Sequence, residues 1–221
     1  MTTKSFLGFL SLAFILTSCG NSGKKGNTLN DSTAIVNEAA PAIADASAET
    51  VKKYPIKSAI VTFEGEMMGI KEKTILYFDD YGMKEAEEKY DGDNIKSSTL
   101  CDGKTRYTIV YKEKTAYPDG DCYRGVAYKF DWDEISKADK KYKAKKLANV
   151  SIAGKDCESF SMESSGNPIV YAGWNNICTL IDQDTKYGKI TYKAVKIEEN
   201  IAIPNDKLNV PTGFAIKKAA M

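Results

Sequence analysis

Ser58-Ala59-Ile60-Val61-Thr62-Phe63-Glu64-Gly65-Glu66-Met67-Met68 alternates residue by residue. Ala59, Val61, Phe63, Gly65 and Met67 fall on one face, with Thr62, Glu64 and Glu66 on the other. That period of two predicts a half-buried strand. Gly69 marks a turn, and Lys73 to Asp79 (KTILYFD) reads as its partner. Asp80-Tyr81-Gly82 supplies the next turn. Lys84 to Tyr90, Ile95 to Cys101, Lys104 to Lys112 and Thr115 to Tyr117 continue the meander, punctuated by Asp91-Gly92-Asp93-Asn94, Asp102-Gly103 and Lys112 to Lys114. After Gly154 the pattern resumes in Asp156 to Glu163, Ile169 to Trp174, Ile177 to Asp182 and Lys189 to Glu199. Many short strands at near-regular spacing predict a sandwich or barrel. Ile201 to Phe214 closes the chain with Pro204, a helical turn at Asn205 to Leu208, and Pro211-Thr212-Gly213.

One segment changes period. Trp132, Ile135, Ala138, Tyr142 and Leu147 recur at helical spacing, which predicts a helix over Asp131 to Leu147. Asp131 stands three residues before Glu134, in the manner of a capping box. Lysines 140, 141, 143, 145 and 146 load the C-terminal half, where they complement the helix dipole and form a solvated outer face.

Upstream of the strands, Lys4 and the eleven-residue apolar run Phe6 to Leu16 have the layout of a signal peptide. The run is too short to span a bilayer as a helix, which takes about 20 residues. Leu16-Thr17-Ser18-Cys19 resembles a bacterial lipobox. The resemblance implies cleavage after Ser18 and a diacylglycerol cysteine at Cys19, with palmitate-type acyl chains as the membrane anchor. Two or more chains hold stably, because each buried methylene is worth about 0.8 kcal/mol. Gly20 is not the aspartate associated with inner-membrane retention, so the expected location is the outer membrane, facing the periplasm. Residues 19–54 then read as lipidated cysteine and tether, rich in Gly, Ser, Asn, Lys and Ala and poor in aromatics. As a coil it would span roughly 30 Å root-mean-square. Residues 55–221 are expected to form a single β-rich domain, long enough for one core.

Removing residues 1–18 takes one lysine, Lys4, from 31 basic residues, leaving 30 against 30 acidic. A net charge of zero argues against nucleic acid as a partner. The chain has no histidine. That removes Ser-His-Asp and Cys-His arrangements and the commonest acid–base group. The acidic pairs Asp79-Asp80 and Asp131/Asp133 sit at turns or a helix start. Asp91-Gly92-Asp93-Asn94 and Asp119-Gly120-Asp121 lack the spacing of a calcium loop. No cofactor, metal or enzymatic activity is expected.

Besides Cys19, the chain holds Cys101, Cys122, Cys157 and Cys178. Four cysteines allow three connectivities. A spacing of 21 residues within each sequential pair favours Cys101–Cys122 and Cys157–Cys178. The competing reading is four buried free thiols.

Several short motifs together carry a resemblance. They are the Asp79-Asp80-Tyr81-Gly82 turn, Cys101-Asp102-Gly103 ahead of a Tyr-rich strand, and Ile152-Ala153-Gly154-Lys155 before a cysteine-bearing strand. Trp174 to Leu180 and the ending Ile203-Pro204 through Val210-Pro211-Thr212-Gly213-Phe214 complete the set. Over most of Ser58 to Ile216 the chain resembles the periplasmic lipoprotein-carrier (LolA/LolB-like) superfamily, and more closely a family of bacterial lipoproteins related to it. The resemblance implies a curved antiparallel sheet, or incomplete β-barrel, with one or two helices across the concave face. It further implies binding of a lipid, an acyl chain or a lipidated protein there. This chain offers fewer helices than the superfamily, and no residue-level site carries over.

On that expectation Val61, Phe63, Met67, Ile75, Tyr77, Ile109 and Tyr111 line an apolar trough, with Trp132 and Ile135 as a lid. The plainer account has the same residues filling a core. The expected function is a lipid-anchored lipoprotein that binds a hydrophobic ligand. The alternative is a non-enzymatic structural or protein-interaction module with an envelope protein as partner.

Overall fold

The computed structural model describes residues 52–122, 125–127, 129–137, 143–164 and 166–218. The chain divides into two units, Met1–Ser47 and Ala48–Met221, and every described residue belongs to the second. The expected signal peptide, Cys19 and nearly all of the expected tether lie outside the described residues.

The strands are β1 (Ala59–Met67), β2 (Ile70–Asp79), β3 (Lys84–Asp91), β4 (Asn94–Cys101), β5 (Thr105–Val110) and β6 (Thr115–Asp121), then β7 (Lys145–Lys146) and β8 (Val150–Ile152), then β9 (Lys155–Ser164), β10 (Asn167–Trp174), β11 (Ile177–Thr185), β12 (Gly188–Glu199) and β13 (Ala215–Ile216). They form one curved, unclosed sheet in the order β13-β6-β5-β4-β3-β2-β1-β12-β11-β10-β9-β7, with β8 also on β9. All pairings are antiparallel except β13 on β6. The two meanders, β1–β6 and β9–β12, join where β1 pairs with β12, Ala59 opposite Glu199. The ten long strands are those the alternation predicts. The short β7, β8 and β13 carry too few residues to show a period.

The helix is shorter than expected. α1 covers only Trp132–Lys137, and Lys145–Lys146 pairs in the sheet as β7. Residues 138–142 lie outside the described set. The cap forms as read, with the Asp131 carboxylate accepting the Glu134 backbone N–H at 3.1 Å.

Alternation gives the sheet two different faces. On the first, Ala59, Val61, Phe63, Leu76 and Phe78 are buried under Tyr54, with Val126 and Ala127 of the β6–α1 connection. Tyr54 packs its ring 4.2 Å from Phe78, and Phe63 stacks 4.3 Å from Tyr192. The same face continues across the paired residues Tyr192, Ile181, Tyr171 and Phe160. There α1 covers it, Trp132 lying 5.2 Å from Phe160 and Ile135 joining the same cluster. On the second face Tyr77, Ala86, Leu100, Ile109 and Ala116 are buried beneath the closing segment, which contributes Ile203, Leu208, Val210 and Phe214. Both faces are therefore covered by the chain itself. Of the six large apolar side chains exposed among the described residues, four cluster at two adjacent hairpin tips, Met67, Met68 and Ile70 between β1 and β2 and Tyr187 between β11 and β12; the others are Val195 on β12 and Ile216 on β13. A hydrogen bond from the Met68 N–H to the Lys189 carbonyl holds the tips together.

Candidate functional site

A buried charge arrangement is built around Glu85. It is the second residue of β3, opposite Phe78 and Cys101 and therefore on the first face. Its side chain is 1% exposed. Burial raises its pKa, opposed by the Lys53 ammonium and by hydrogen bonds. The carboxylate accepts the Val126 N–H at 2.8 Å and stands 3.3 Å from Lys53 Nζ. Tyr54 also bonds to it, and the Tyr54 hydroxyl is itself raised, first by burial and then by the Glu85 charge. One side chain thus ties β3 to the N-terminal segment and to the β6–α1 connection. Gly125 is required beside it, because φ is +66° and a Cβ there would lie 3.0 Å from Glu85 Oε2.

Next to this lock is an open groove of about 550 Å³. Its walls are Tyr54, Met83, Cys122 and Ala127, with Gly103 and Gly125 bringing backbone close. Lys52, Lys53, Lys104 and Lys129 surround it, with Glu85, Asp121 and Glu134 as its acidic members. Lys53 compensates Glu85 and Lys129 pairs with Asp131 at 3.6 Å, which leaves Lys52 and Lys104 beside the exposed carboxylates of Asp121 and Glu134. Its volume is ordinary for a ligand cleft, which runs roughly 300–1,000 Å³. The groove thus offers apolar walls with charges of both signs around them.

The nine trough candidates do not share a face. Val61 pairs with Leu76, so Ile75 and Tyr77 point the opposite way. Val61 and Phe63 are buried on the first face; Ile75, Tyr77, Ile109 and Tyr111 lie under the closing segment on the second. Met67 is 56% exposed at a hairpin tip. Trp132 and Ile135 pack over Phe160. None of the nine lines the 550 Å³ groove. Sequence reasoning misses Glu85 and Gly125: Lys84 to Tyr90 alternates less cleanly than its neighbours, and nothing local marks the chain that covers it.

Cys101 and Cys122 are bonded, with sulfurs 2.02 Å apart, at the wall of the groove. The expected Cys157–Cys178 bond is absent, and both are buried free thiols. The reason is the register: Gly173 of β10 pairs with Cys178 on one side and with Glu158 on the other, so Cys157 is one residue out of step with Cys178 and its side chain points to the opposite face. They also belong to different clusters. Thr179 Oγ1 donates to Cys157 Sγ, and burial pushes the Cys178 thiol up to about 12. Among the described residues no group of His, Cys, Asp or Glu is arranged to hold a metal ion.

No protein-family model and no curated protein matches the sequence. Solved structures do match the fold. An uncharacterized conserved protein from Thermus thermophilus superposes with a TM-score of 0.51 at 11% identity, over 76% of this chain and 94% of that one. MucB superposes at 0.50 and 11% identity, over 74% of this chain; the match spans 60% of MucB. A domain assigned to outer membrane lipoprotein sorting from Vibrio parahaemolyticus superposes more loosely, at 0.31 and 9% identity, over 70% of this chain and 89% of that one. What the first two share with this chain is the fold.

Proposed function

We propose that this chain is a lipid-anchored protein of the cell envelope that binds a hydrophobic ligand, a lipid or an acyl chain. The observation that carries this is the groove beside Glu85, with apolar walls and lysines around them. The anchor is diacylglycerol and palmitate on Cys19, and the expected site is the outer membrane facing the periplasm.

The test uses the full chain with oleate and a fluorescent fatty acid as probes. Ala127→Trp fills the groove. Saturable binding by the parent and its loss in Ala127→Trp, at unchanged melting temperature, support the proposal. No uptake, or uptake that Ala127→Trp leaves intact, rejects it. Labelled palmitate should enter the chain in cells and be lost in Cys19→Ser; recovery in the water-soluble fraction with a free N-terminal thiol would remove the anchor.

A second reading, a protein-interaction module, is favoured by the exposed tips Met67, Met68, Ile70 and Tyr187. A photo-crosslinker at position 70 should then capture one envelope protein in cells, and a featureless pattern would sink it.

A further inference from the structure

Met68 and Gly69 form the two-residue turn between β1 and β2, where Met67 pairs with Ile70. Both turn residues are left-handed, at φ +51° and +84°. Glycine, asparagine and aspartate are the usual residues of such a turn, because they adopt that conformation at little cost. Methionine is strained there, and its side chain is 55% exposed, so neither the turn nor the core accounts for it. Ile70 and Tyr187 are more exposed still, at 73% and 71%. The two tips pack as one unit. A Cβ on Gly188 would lie 3.5 Å from Met68 Cα, and the Met68 N–H donates to the Lys189 carbonyl at 3.1 Å. Thr185 Oγ1 closes the other turn, donating to the Gly188 carbonyl at 2.7 Å and accepting the Tyr187 N–H at 3.2 Å. Met67, Met68, Ile70 and Tyr187 thus share one pinned, apolar apex.

The apex is small for a protein partner. A stable protein interface takes about 20–30 residues a side, and here four apolar side chains give way at once to Glu66, Lys71, Glu72 and Asp184. A lipid surface demands no matching shape. Its interface accepts a few apolar side chains flanked by tyrosine and lysine, which keep their polar ends in the headgroups. Lys71 and Lys186 are exposed on either side, and Lys186 Nζ lies 4.8 Å over the Tyr187 ring. Lys71, Lys186 and Lys189 balance Glu66, Glu72 and Asp184, so the attraction is apolar rather than electrostatic.

The chain enters the domain at the other end of these strands. The Lys53 and Tyr54 N–H groups both donate to the Tyr81 carbonyl, just beyond the end of β2. The ten residues of β2 put the apex about 30 Å away. Lys52 lies 33 residues beyond Cys19, up to about 110 Å of extended chain. That length lets an anchored domain turn its apex to the same bilayer, and the tether makes even weak insertion effective by holding the apex near it.

We propose that the paired β1–β2 and β11–β12 tips are a lipid-surface contact, inserting Met67, Met68, Ile70 and Tyr187 into the bilayer that holds Cys19, with zwitterionic phospholipid sufficient. This rests on the Cys19 anchor proposed above and is independent of the groove beside Glu85. It gives to lipid the tips that the second reading gives to a protein.

The experiment reconstitutes the full chain, lipidated in cells, into phosphatidylcholine vesicles. A nitrobenzoxadiazole label is placed at Ile70→Cys, or at Lys84→Cys beside Asp79 at the far end of the sheet. Cys157 and Cys178 are buried and escape labelling of the folded protein. The label at 70 should be blue-shifted and quenched by doxyl-labelled lipid at least about threefold more than the label at 84, and about 0.5 M salt should change this little. Met68→Asp should abolish the quenching of a label at Tyr187→Cys. It should not lower the melting temperature, since Asp-Gly is a favoured pair for this turn. An aqueous label at 70 in a chain that floats with the vesicles overturns the proposal and leaves the anchor standing. A chain that does not float overturns the anchor and this proposal with it. Equal quenching at 187 in parent and Met68→Asp also overturns it, as does protection at 70 that appears only when other envelope proteins are present.

Discussion

Lys53 Nζ stands 3.3 Å from Glu85 Oε1, and the acid of this pair is almost wholly inside the protein. Removing the partner of a buried charge costs more than removing the charge. Lys53→Met should therefore destabilise the domain by about 3 kcal/mol, since it leaves a carboxylate buried and uncompensated. Glu85→Gln should cost less, because its amide oxygen still accepts the Val126 N–H. Urea unfolding of both single variants and the double variant measures the difference, and a smaller loss in Lys53→Met than in Glu85→Gln would contradict it.

Glu87, also on β3, gives the pH dependence. Burial raises its carboxyl from 4.5 to about 7, against the pull of Lys89 and with Glu72 and Glu85 adding to the rise. The folded state therefore holds this proton more tightly than the unfolded chain. Its contribution is fully present below about pH 4.5 and is lost as pH rises to about 7, a change of order 3 kcal/mol. Melting temperatures across that window should fall with rising pH, and Glu87→Gln should flatten the slope.

The cysteines make a chemical prediction. Alkylation of the unfolded, unreduced protein should modify Cys157 and Cys178 and leave Cys101 and Cys122 untouched, as peptide mass spectrometry will show. Reducing the Cys101–Cys122 bond should cost about 3 kcal/mol for a loop of this length.

Gly173→Ala should be among the more damaging small changes. The added methyl meets the Phe130 ring, which is itself buried beside Phe160. Overpacking of this kind costs about 1–3 kcal/mol. Displacing Phe130 also moves the adjoining Trp132, so the loss of stability should be accompanied by a shift in tryptophan emission.

Leu208 tests the covering of the second face. It is buried over Tyr77 and Leu100, and its neighbour Lys207 holds Glu88 at 3.0 Å. Leu208→Ala should cost about 3 kcal/mol. A loss under about 1 kcal/mol would mean that the closing segment does not seal this face.

The strands were legible because period-2 burial is a local property, written into Ala59, Val61 and Phe63 themselves. Their covers were not. Whether Ile75 and Tyr77 line a cavity or a core depends on Leu208 and Phe214, at the far end of the chain. Glu85 illustrates the same limit: in sequence it belongs to a strand whose alternation is weak, and only Lys53 and Val126 make it an interior residue. Cys157 and Cys178 have the same spacing as the bonded pair, but spacing does not reveal that β10 intervenes. Trp132 reads as a lid residue from helical periodicity, and it does cover Phe160.

The seam between β1 and β12 sets the order of events during biosynthesis. Ribosomes deliver Ala59 long before Glu199, so the earliest strand waits unpaired on one side while most of the domain follows. Contacts of such long range are slow to close. The seam, and with it the joining of the two meanders, is consequently deferred until nearly the whole polypeptide has emerged, while the β1–β6 hairpins need only neighbouring chain.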